Sequence, residues 1–179
     1  MIESYIDCTR CGLHKFRRKI VFGRGEFPAD IFFIGEGPGK SEDLRGEAFI
    51  GKSGRMLDTA IKEAFNLSGL ESIPTFYITN VVACRPTNER YGPNRTPSSD
   101  EAWACWPRLD ETYHKVKPRI VIFIGQTAKQ FCKEAFPHGY HLVHPAYILR
   151  KGGYRATEYR TFVRNLTEIF KSLQRSKHR

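Results

Sequence analysis

Apolar runs alternate with polar, glycine-containing turns and divide the chain into a regular series of predicted strands and helices. Two continuous apolar runs, 30–35 and 119–125, end in glycine and predict buried strands. A β-branched and aromatic run over 75–82 predicts a third strand, and the apolar pair Leu142-Val143 predicts a short fourth one. Continuous apolar strands of this kind are typical of parallel sheets that are buried on both faces.

Helical periodicity occupies the intervals between these strands. Apolar residues recur at helical spacing over 53–66 and along one face of a last helix over 159–173. Ser98 and Glu101 have the spacing of a capping box and predict the start of another helix, which Pro107 should kink or split. Strands that alternate with helices predict an α/β fold with a parallel sheet between layers of helices.

The strand ends indicate where a binding site should lie. In open parallel sheets, ligands bind beyond the carboxyl ends of the strands. Glycine and polar residues that follow the predicted strands are therefore candidate site residues, and they are the segment 35–39, Asn80, Gly125-Gln126 and His144-Pro145.

Length and composition narrow the class of protein. The 179 residues suit a single domain over 1–179, and 40% hydrophobic with 13% aromatic residues exclude a disordered chain. The net charge of +10 favours a polyanionic partner, nucleic acid before anionic membrane, although a merely basic enzyme stays open. The sequence contains no apolar run of about 18 residues and no signal-peptide pattern, so we expect a cytoplasmic protein that spans no membrane.

Four of the five cysteines have the arrangement of a metal site. Cys8 and Cys11 form a C-x2-C pair, Cys84 follows a predicted strand, and Cys105 lies in the capped helix. Cytosolic thiols stay reduced, so four such thiols indicate either a metal site or unrelated buried cysteines. Their spacing does not distinguish zinc from an iron–sulfur cluster. Cys132, in an aromatic helical segment, is interpreted as a core residue.

One phosphate-binding motif is rejected on its context. Segment 46–53 matches the pattern G-x4-G-K-[ST], but it does not leave a strand directly and carries bulky Phe49 and Ile50 in its loop. No predicted strand ends in the aspartate that would hold magnesium. We therefore do not expect a nucleotide hydrolase.

Several further motifs occur in a fixed order along nearly the whole chain. They are Cys8-x2-Cys11; Gly35-Glu36-Gly37-Pro38-Gly39-x2-Glu42-Asp43; Gly46-x2-Phe49-Ile50-Gly51-x-Ser53-Gly54; Thr79-Asn80-Val81-Val82-x-Cys84-Arg85-Pro86; Cys105; Ile124-Gly125; and His144-Pro145-Ala146-Tyr147-Ile148-Leu149-Arg150. In this combination the chain resembles the family-four uracil-DNA glycosylases, the iron–sulfur branch of the uracil-glycosylase superfamily. It departs from the family pattern at Gly37, where the family usually has alanine, and in the longer stretch 88–97.

The resemblance implies a fold, a cofactor and an activity. The fold would be a three-layer α/β/α sandwich with a central four-stranded parallel sheet. The activity would be hydrolysis of the N-glycosidic bond of deoxyuridine in single- or double-stranded DNA, carried out by a monomer in base excision repair. The cofactor would be a [4Fe–4S] cluster, with zinc the less favoured occupant, on the ligands Cys8, Cys11, Cys84 and Cys105.

The resemblance also assigns roles to residues near the predicted strand ends. Glu36 would position or activate water and His144 would donate a hydrogen bond to uracil O2, which makes both candidate catalytic residues. Asn80 would pair with uracil N3–H and O4, and Phe49 would stack on the base. Glu42 would lie near uracil C5 and disfavour thymine. The predicted uracil pocket consists of Gly35, Gly39, Glu42, Phe49 and Asn80.

A second group of residues is predicted to contact DNA. Tyr147, Ile148 and Leu149 are candidate wedges that fill the gap left by a flipped base. The candidate contacts to the DNA backbone are Lys52, Ser53, Arg85, Arg150 and Lys151.

Two alternatives stay open beside the glycosylase. One is a relative that becomes covalently trapped on DNA through a histidine, and it would carry a basic insertion that is missing before His144. The other is a non-catalytic iron–sulfur module that binds DNA, and the joint presence of Glu36, Asn80 and His144 speaks against it.

Overall fold

A mixed five-stranded sheet forms the centre of the molecule. The computed structural model describes residues 3–175. The strands are β1 (Arg24–Gly25), β2 (Ile31–Gly35), β3 (Phe76–Asn80), β4 (Ile120–Ile124) and β5 (Tyr140–Leu142). Their spatial order is β1-β3-β2-β4-β5. The four predicted strands are parallel to one another, and β1 adds an antiparallel edge. The predicted count of four strands is therefore one too low, because two residues are too short to show a periodic pattern.

Within residues 3–175, six α-helices cover this sheet. They are α1 (Lys40–Arg45), α2 (Lys52–Ser68), α3 (Ser99–Val116), α4 (Gln126–Cys132), α5 (Pro145–Arg150) and α6 (Thr157–Arg175), with short 3-10 turns at Glu3–Tyr5, Gly12–Lys15 and Gly153–Arg155. The predicted capping box is confirmed, because the Ser98 hydroxyl accepts from the Glu101 amide at 3.2 Å and the Glu101 carboxylate accepts from the Ser98 amide at 2.8 Å. Helix α3 is not split at Pro107.

The helices lie in two layers, one on each face of the sheet. Successive residues of β2 point to opposite faces, so Ile31 and Phe33 enter one core while Phe32 and Ile34 enter the other. The first core contains the apolar faces of α2, α5 and α6, and the second contains those of α3 and α4. The predicted three-layer α/β/α architecture is confirmed, and so is the burial of Cys132 in the second core.

The register of the parallel strands brings the predicted site segments together. Gly35 at the end of β2 lies opposite Asn80 at the end of β3. The Gly125 amide, just after β4, donates to the Leu142 carbonyl at the end of β5 at 2.8 Å. Segments far apart in sequence therefore meet at one edge of the sheet.

The sequence also predicted the absence of a membrane span and the limits of the domain. Within residues 3–175, no helix is long and apolar enough to cross a membrane. The predicted limits of the domain, residues 1 and 179, lie outside the described residues.

Candidate active site and cysteine-lined cavity

A cleft at the carboxyl edge of the sheet collects the predicted recognition and catalytic side chains. Its volume is about 830 Å³, within the range of roughly 300–1,000 Å³ that is usual for small-molecule sites. Glu36, Asn80 and His144 line it from the ends of three different strands, and Phe49 lines it from the loop before α2. The cleft also includes predicted residues at its rim, namely Gly39, Glu42, Lys52, Ser53, Tyr147 and Arg150.

Asn80 presents a buried amide to this cleft. The residue is only 2% exposed, and within residues 3–175 no protein group hydrogen-bonds its side chain. Its side-chain oxygen lies so close to Gly35 that a Cβ built on Gly35 would be 2.5 Å away. In the described part of the chain, Arg108 Nε is the one fully buried side-chain polar atom without a partner, so the Asn80 amide atoms are open to the cleft, where water or a ligand can satisfy them. The end of β3 therefore offers a preformed site for a ligand with both a donor and an acceptor.

Phe49 lines the cleft beside Gly35, near the Asn80 side-chain oxygen, in an unusual backbone conformation. Its φ of +55° is in the left-handed region, which bulky residues rarely occupy. The loop is held because the Glu42 carboxylate accepts from the Ile50 amide at 3.0 Å and the Gly51 amide at 2.7 Å. Arg24 also donates to the Phe49 carbonyl at 3.3 Å. These contacts fix the Phe49 ring at the cleft, with its centroid 6.2 Å from that of His144.

His144 has a defined tautomer. It caps the amino end of α5, where its Nδ1 accepts from the Ala146 amide at 3.1 Å. A backbone N–H can only donate, so Nδ1 carries no proton and the neutral ring carries its proton on Nε2. Burial, reinforced by the nearby Arg150 charge, lowers the pKa of His144 to about 4. At neutral pH the cleft therefore contains an uncharged imidazole with one N–H donor.

Glu36 is oriented by a residue that sequence reasoning missed. The Thr127 hydroxyl, at the start of α4, donates to Glu36 Oε2 at 2.5 Å. The two residues are 91 positions apart, and a single threonine two residues after a glycine gives no signal of its own. This bond holds one carboxylate oxygen. No protein group among residues 3–175 hydrogen-bonds the other, which can therefore bind water in the cleft.

The predicted DNA-contacting residues are divided by their burial. Tyr147 is 39% exposed, and Lys52, Arg150 and Lys151 are exposed as well. Ile148, in contrast, is fully buried in the first core, so the prediction that it acts as a wedge is wrong. Leu149 is partly buried and packs against the same core. The wedge motif forms a short helix, whose 3.6-residue period turns consecutive side chains in different directions.

Arg85 has a structural position instead of the predicted contact with DNA. It is 5% exposed, and its guanidinium donates to the Asn94 side chain at 2.6 Å and the Gly92 carbonyl at 2.5 Å. Arg85 thus holds the long stretch 88–97. Asn94, Arg95 and Thr96 of this stretch line the cleft, which the sequence did not predict.

A second, smaller cavity contains the four predicted metal ligands. Cys8, Cys11, Cys84 and Cys105 all line it. Burial raises the pKa of Cys84 to about 11 and also raises that of Cys11. Arg17 and Arg108 approach the sulfur atoms of Cys84 and Cys105 at 3.6 and 3.7 Å, and the other wall residues are largely apolar. Among the described residues, no group of three or more potential ligands lies close enough together to hold a single metal ion. Four thiols that line one cavity beside two cations are nevertheless compatible in charge with a larger thiolate-ligated group.

The sequence of this chain matches one protein family and several individual proteins. The family model of the Uracil DNA glycosylase superfamily matches residues 22–167, which is most of the chain. The chain belongs to the uracil DNA glycosylase superfamily. The match begins just before β1 and ends within α6, so it includes every strand and every side chain at the cleft.

Within this superfamily the chain is similar to several proteins named Type-4 uracil-DNA glycosylase. It is 41% identical to that of Sulfurisphaera tokodaii over 129 residues, which are 72% of this chain and 54% of the relative. It is 38% identical to that of Thermotoga maritima, over 72% of this chain and 62% of the relative. It is 35% identical to that of Archaeoglobus fulgidus, over 76% of this chain and 63% of the relative. The chain thus spans between half and two thirds of the length of these relatives.

Proposed function

We propose that the protein is a uracil-DNA glycosylase, which hydrolyses the bond between deoxyribose C1′ and uracil N1 in DNA and leaves an abasic site. The observation that carries this proposal is the amide of Asn80, which has no protein partner in the described residues and opens into the same cleft as Phe49 and a neutral His144. Membership of the superfamily and the names of the relatives support the choice of base. The target nucleotide must leave the duplex to enter such a cleft.

Asn80 would recognise uracil by its hydrogen-bonding edge. The side-chain oxygen accepts from N3–H, and the NH2 group donates to O4. Cytosine offers the reverse pattern and would leave buried polar groups unpaired, which discriminates by about 10⁴–10⁵-fold in sites of this kind. Phe49 stacks on the face of the base, and its loop is braced by Glu42. The second Glu42 oxygen, beside Gly39, would border the C5 side of the pocket.

His144 would stabilise the leaving group. As the bond to C1′ breaks, negative charge collects on uracil O2. The proton on Nε2 donates to that oxygen, and the backbone bond at Nδ1 keeps the ring in the required tautomer. Because the pKa of His144 is lowered to about 4, the ring acts as a neutral hydrogen-bond donor near pH 7.

Glu36 would act on the other side of the reacting bond. Its carboxylate stabilises the positive charge that develops on the sugar, and its free oxygen directs a water molecule at C1′. Thr127 is a positioning residue, because its hydroxyl fixes the other carboxylate oxygen. The products are free uracil and an abasic deoxyribose.

The rim of the cleft would hold the DNA. Lys52, Arg150 and Lys151 would contact phosphates without regard to base sequence, and Ser53 at the start of α2 would add a hydrogen bond. Tyr147, with Leu149 behind it, is the proposed wedge that fills the gap left by the base. Single- or double-stranded DNA containing uracil is the proposed partner, bound by a monomer in the cytoplasm.

We further propose that the four cysteines hold a [4Fe–4S] cluster, with zinc the less favoured occupant. The proposal rests on the shared cavity of Cys8, Cys11, Cys84 and Cys105, on its apolar walls and on the two flanking arginines. A bound cluster would join the amino-terminal segment to the strand end after β3 and to α3. It supplies structural support at a distance from the reacting bond, and no step of hydrolysis needs it.

The activity is tested by release of base from a labelled single-stranded oligonucleotide that carries one uracil. The assay contains EDTA, and alkali reveals the abasic site. Cleavage at uracil but not at thymine or cytosine is expected. Asn80→Ala should lower kcat/KM by about 10²–10³-fold, which is typical for loss of a hydrogen bond made in the transition state. Asn66→Ala, on an exposed face of α2, is the matched control and should remain fully active.

One outcome of this assay would contradict the glycosylase proposal. A folded protein that binds uracil-containing DNA but releases no base would rule out the glycosylase and favour the binding module. For the cofactor, iron and acid-labile sulfide should be present in about equal amounts. Both should be lost in Cys105→Ala but kept in Cys132→Ala, because Cys132 lies in the core away from the cavity. One equivalent of zinc and no iron would refute the cluster.

A further inference from the structure

Arg108 is a buried arginine that binds the end of the strand carrying Asn80. It lies on α3 and is only 4% exposed. Its guanidinium donates to the Thr79 hydroxyl at 2.8 Å, to the Asn80 carbonyl at 2.6 Å and to the Val81 carbonyl at 2.8 Å. These three bonds fix the carboxyl end of β3, where the orientation of the Asn80 side chain is set.

The same guanidinium faces the cysteine-lined cavity. Arg108 follows Cys105 by one helical turn and approaches its sulfur at 3.7 Å. Among residues 3–175, no carboxylate forms an ion pair with Arg108, and its Nε is buried without any hydrogen-bond partner. A buried charge without a counter-charge is strongly unfavourable. The cavity is therefore the place from which the missing negative charge must come.

We propose that Arg108 is a positioning residue that couples the iron–sulfur cluster to uracil recognition by Asn80. The inference rests on the proposed function, since it needs both the cluster and the uracil site. Four thiolates and the cluster together carry net negative charge, which balances the guanidinium and keeps it in place. The guanidinium in turn holds the Asn80 and Val81 carbonyls. The cluster thus supports the uracil pocket through one side chain.

Arg17 provides a matched comparison. It also approaches a cluster ligand, with its guanidinium 3.6 Å from the Cys84 sulfur and 2.7 Å from the Cys8 carbonyl. No hydrogen bond joins Arg17 to the end of β3 in the described part of the chain. Both arginines would therefore place a positive charge beside the cluster. Only Arg108 would also hold the backbone that orients Asn80.

Two measurements on the cluster-containing protein separate these effects. They are the reduction potential of the cluster, by protein voltammetry, and the dissociation constant of free uracil, by calorimetry. Arg108→Met should lower the potential, because a nearby positive charge favours the reduced cluster, and should weaken uracil binding by about tenfold. Arg108→Lys should keep the potential close to wild type and still weaken uracil binding, because one ammonium cannot reproduce the planar fork. Arg17→Met should lower the potential and leave uracil binding within about twofold.

The outcomes distinguish this inference from the proposed function. Wild-type uracil affinity in both Arg108→Met and Arg108→Lys would overturn the positioning role, and an unchanged potential in Arg108→Met would overturn the charge coupling. If Arg108→Met does not fold, uracil binding by Arg108→Lys still tests whether Arg108 positions Asn80. The reduction potential of Arg17→Met then tests whether a neighbouring positive charge acts on the cluster. Failure of the proposed function has another signature, which is a wild-type protein that releases no uracil from DNA.

Discussion

The lowered pKa of His144 leads to a quantitative prediction for the dependence of the reaction on pH. With a pKa of about 4, about 97% of the imidazole is neutral at pH 5.5, whereas an ordinary histidine of pKa about 6.5 would be only about 9% neutral. If the neutral ring is the donor to uracil O2, the His144 contribution stays nearly constant between pH 7.5 and 5.5. An unshifted histidine would cost about tenfold in rate over the same interval.

The assay is single-turnover release of uracil at constant ionic strength, so that DNA binding and product release do not limit the rate. His144→Asn is the informative variant, because its side-chain oxygen can still cap the Ala146 amide while the Nε2 donor is lost. We expect its rate to fall by about 10²–10³-fold. His138→Asn, at an exposed position, is the matched control and should behave like wild type.

One result would refute this account. In that result, the wild-type rate falls about tenfold as the pH is lowered, with a midpoint near pH 6.5, and the rate of His144→Asn shows no such fall. The dependence of protein stability on pH gives an independent check that the pKa of His144 is lowered. The folded His144 resists protonation, so the unfolded chain binds the proton first, and the free energy of unfolding decreases as the pH falls from about 6.5 to 4. The full loss is up to about 3 kcal/mol and should be missing in His144→Asn.

Three further predictions concern the pocket, its loop and the DNA surface. Gly35→Ala should lower base release by about 10²-fold or more, because its Cβ would lie 2.5 Å from the Asn80 side-chain oxygen, whereas Gly12→Ala meets nothing within 4 Å and should be active. Glu42→Ala should reduce the free energy of unfolding by about 1–3 kcal/mol in chemical denaturation, because two loop amides lose their acceptor. Lys151→Gln should reduce the slope of log K for DNA against log salt by about 1, and an unchanged slope would exclude a phosphate contact.

The sequence was most informative where a pattern is local. Each of the four parallel strands lies within or beside an apolar run that the sequence marks, and α3 begins at its capping box because Ser98 and Glu101 satisfy each other's backbone amides over three residues. Pro107 was predicted to kink or split α3, yet the helix continues through it. Nearby Trp103 is exposed, so water can reach the carbonyl that proline leaves without a partner.

The candidate site shows where local patterns stop. Asn80, His144 and Glu36 could be proposed from their places after strands, since parallel strands bring their carboxyl ends together. Ile148 was misjudged because a helix of six residues is too short to show which side faces the core. Arg85 was misjudged because its basic charge suggested a phosphate contact, while its burial and its hydrogen bonds to 88–97 depend on the folded loop.

By itself, the sequence determined the four parallel strands, the long helices α2, α3 and α6, the edge of the sheet where the site residues lie, and the four cysteines that are candidate metal ligands. These depend on hydrophobic period, turn residues and ordered motifs, which act over a few residues. Only the tertiary structure decided that Thr127 orients Glu36 across 91 positions, that burial lowers the pKa of His144, and that Arg108 joins the cysteine cavity to the end of β3. Contacts of this kind depend on which segments packing brings together, and burial then sets the charge state of the groups that meet.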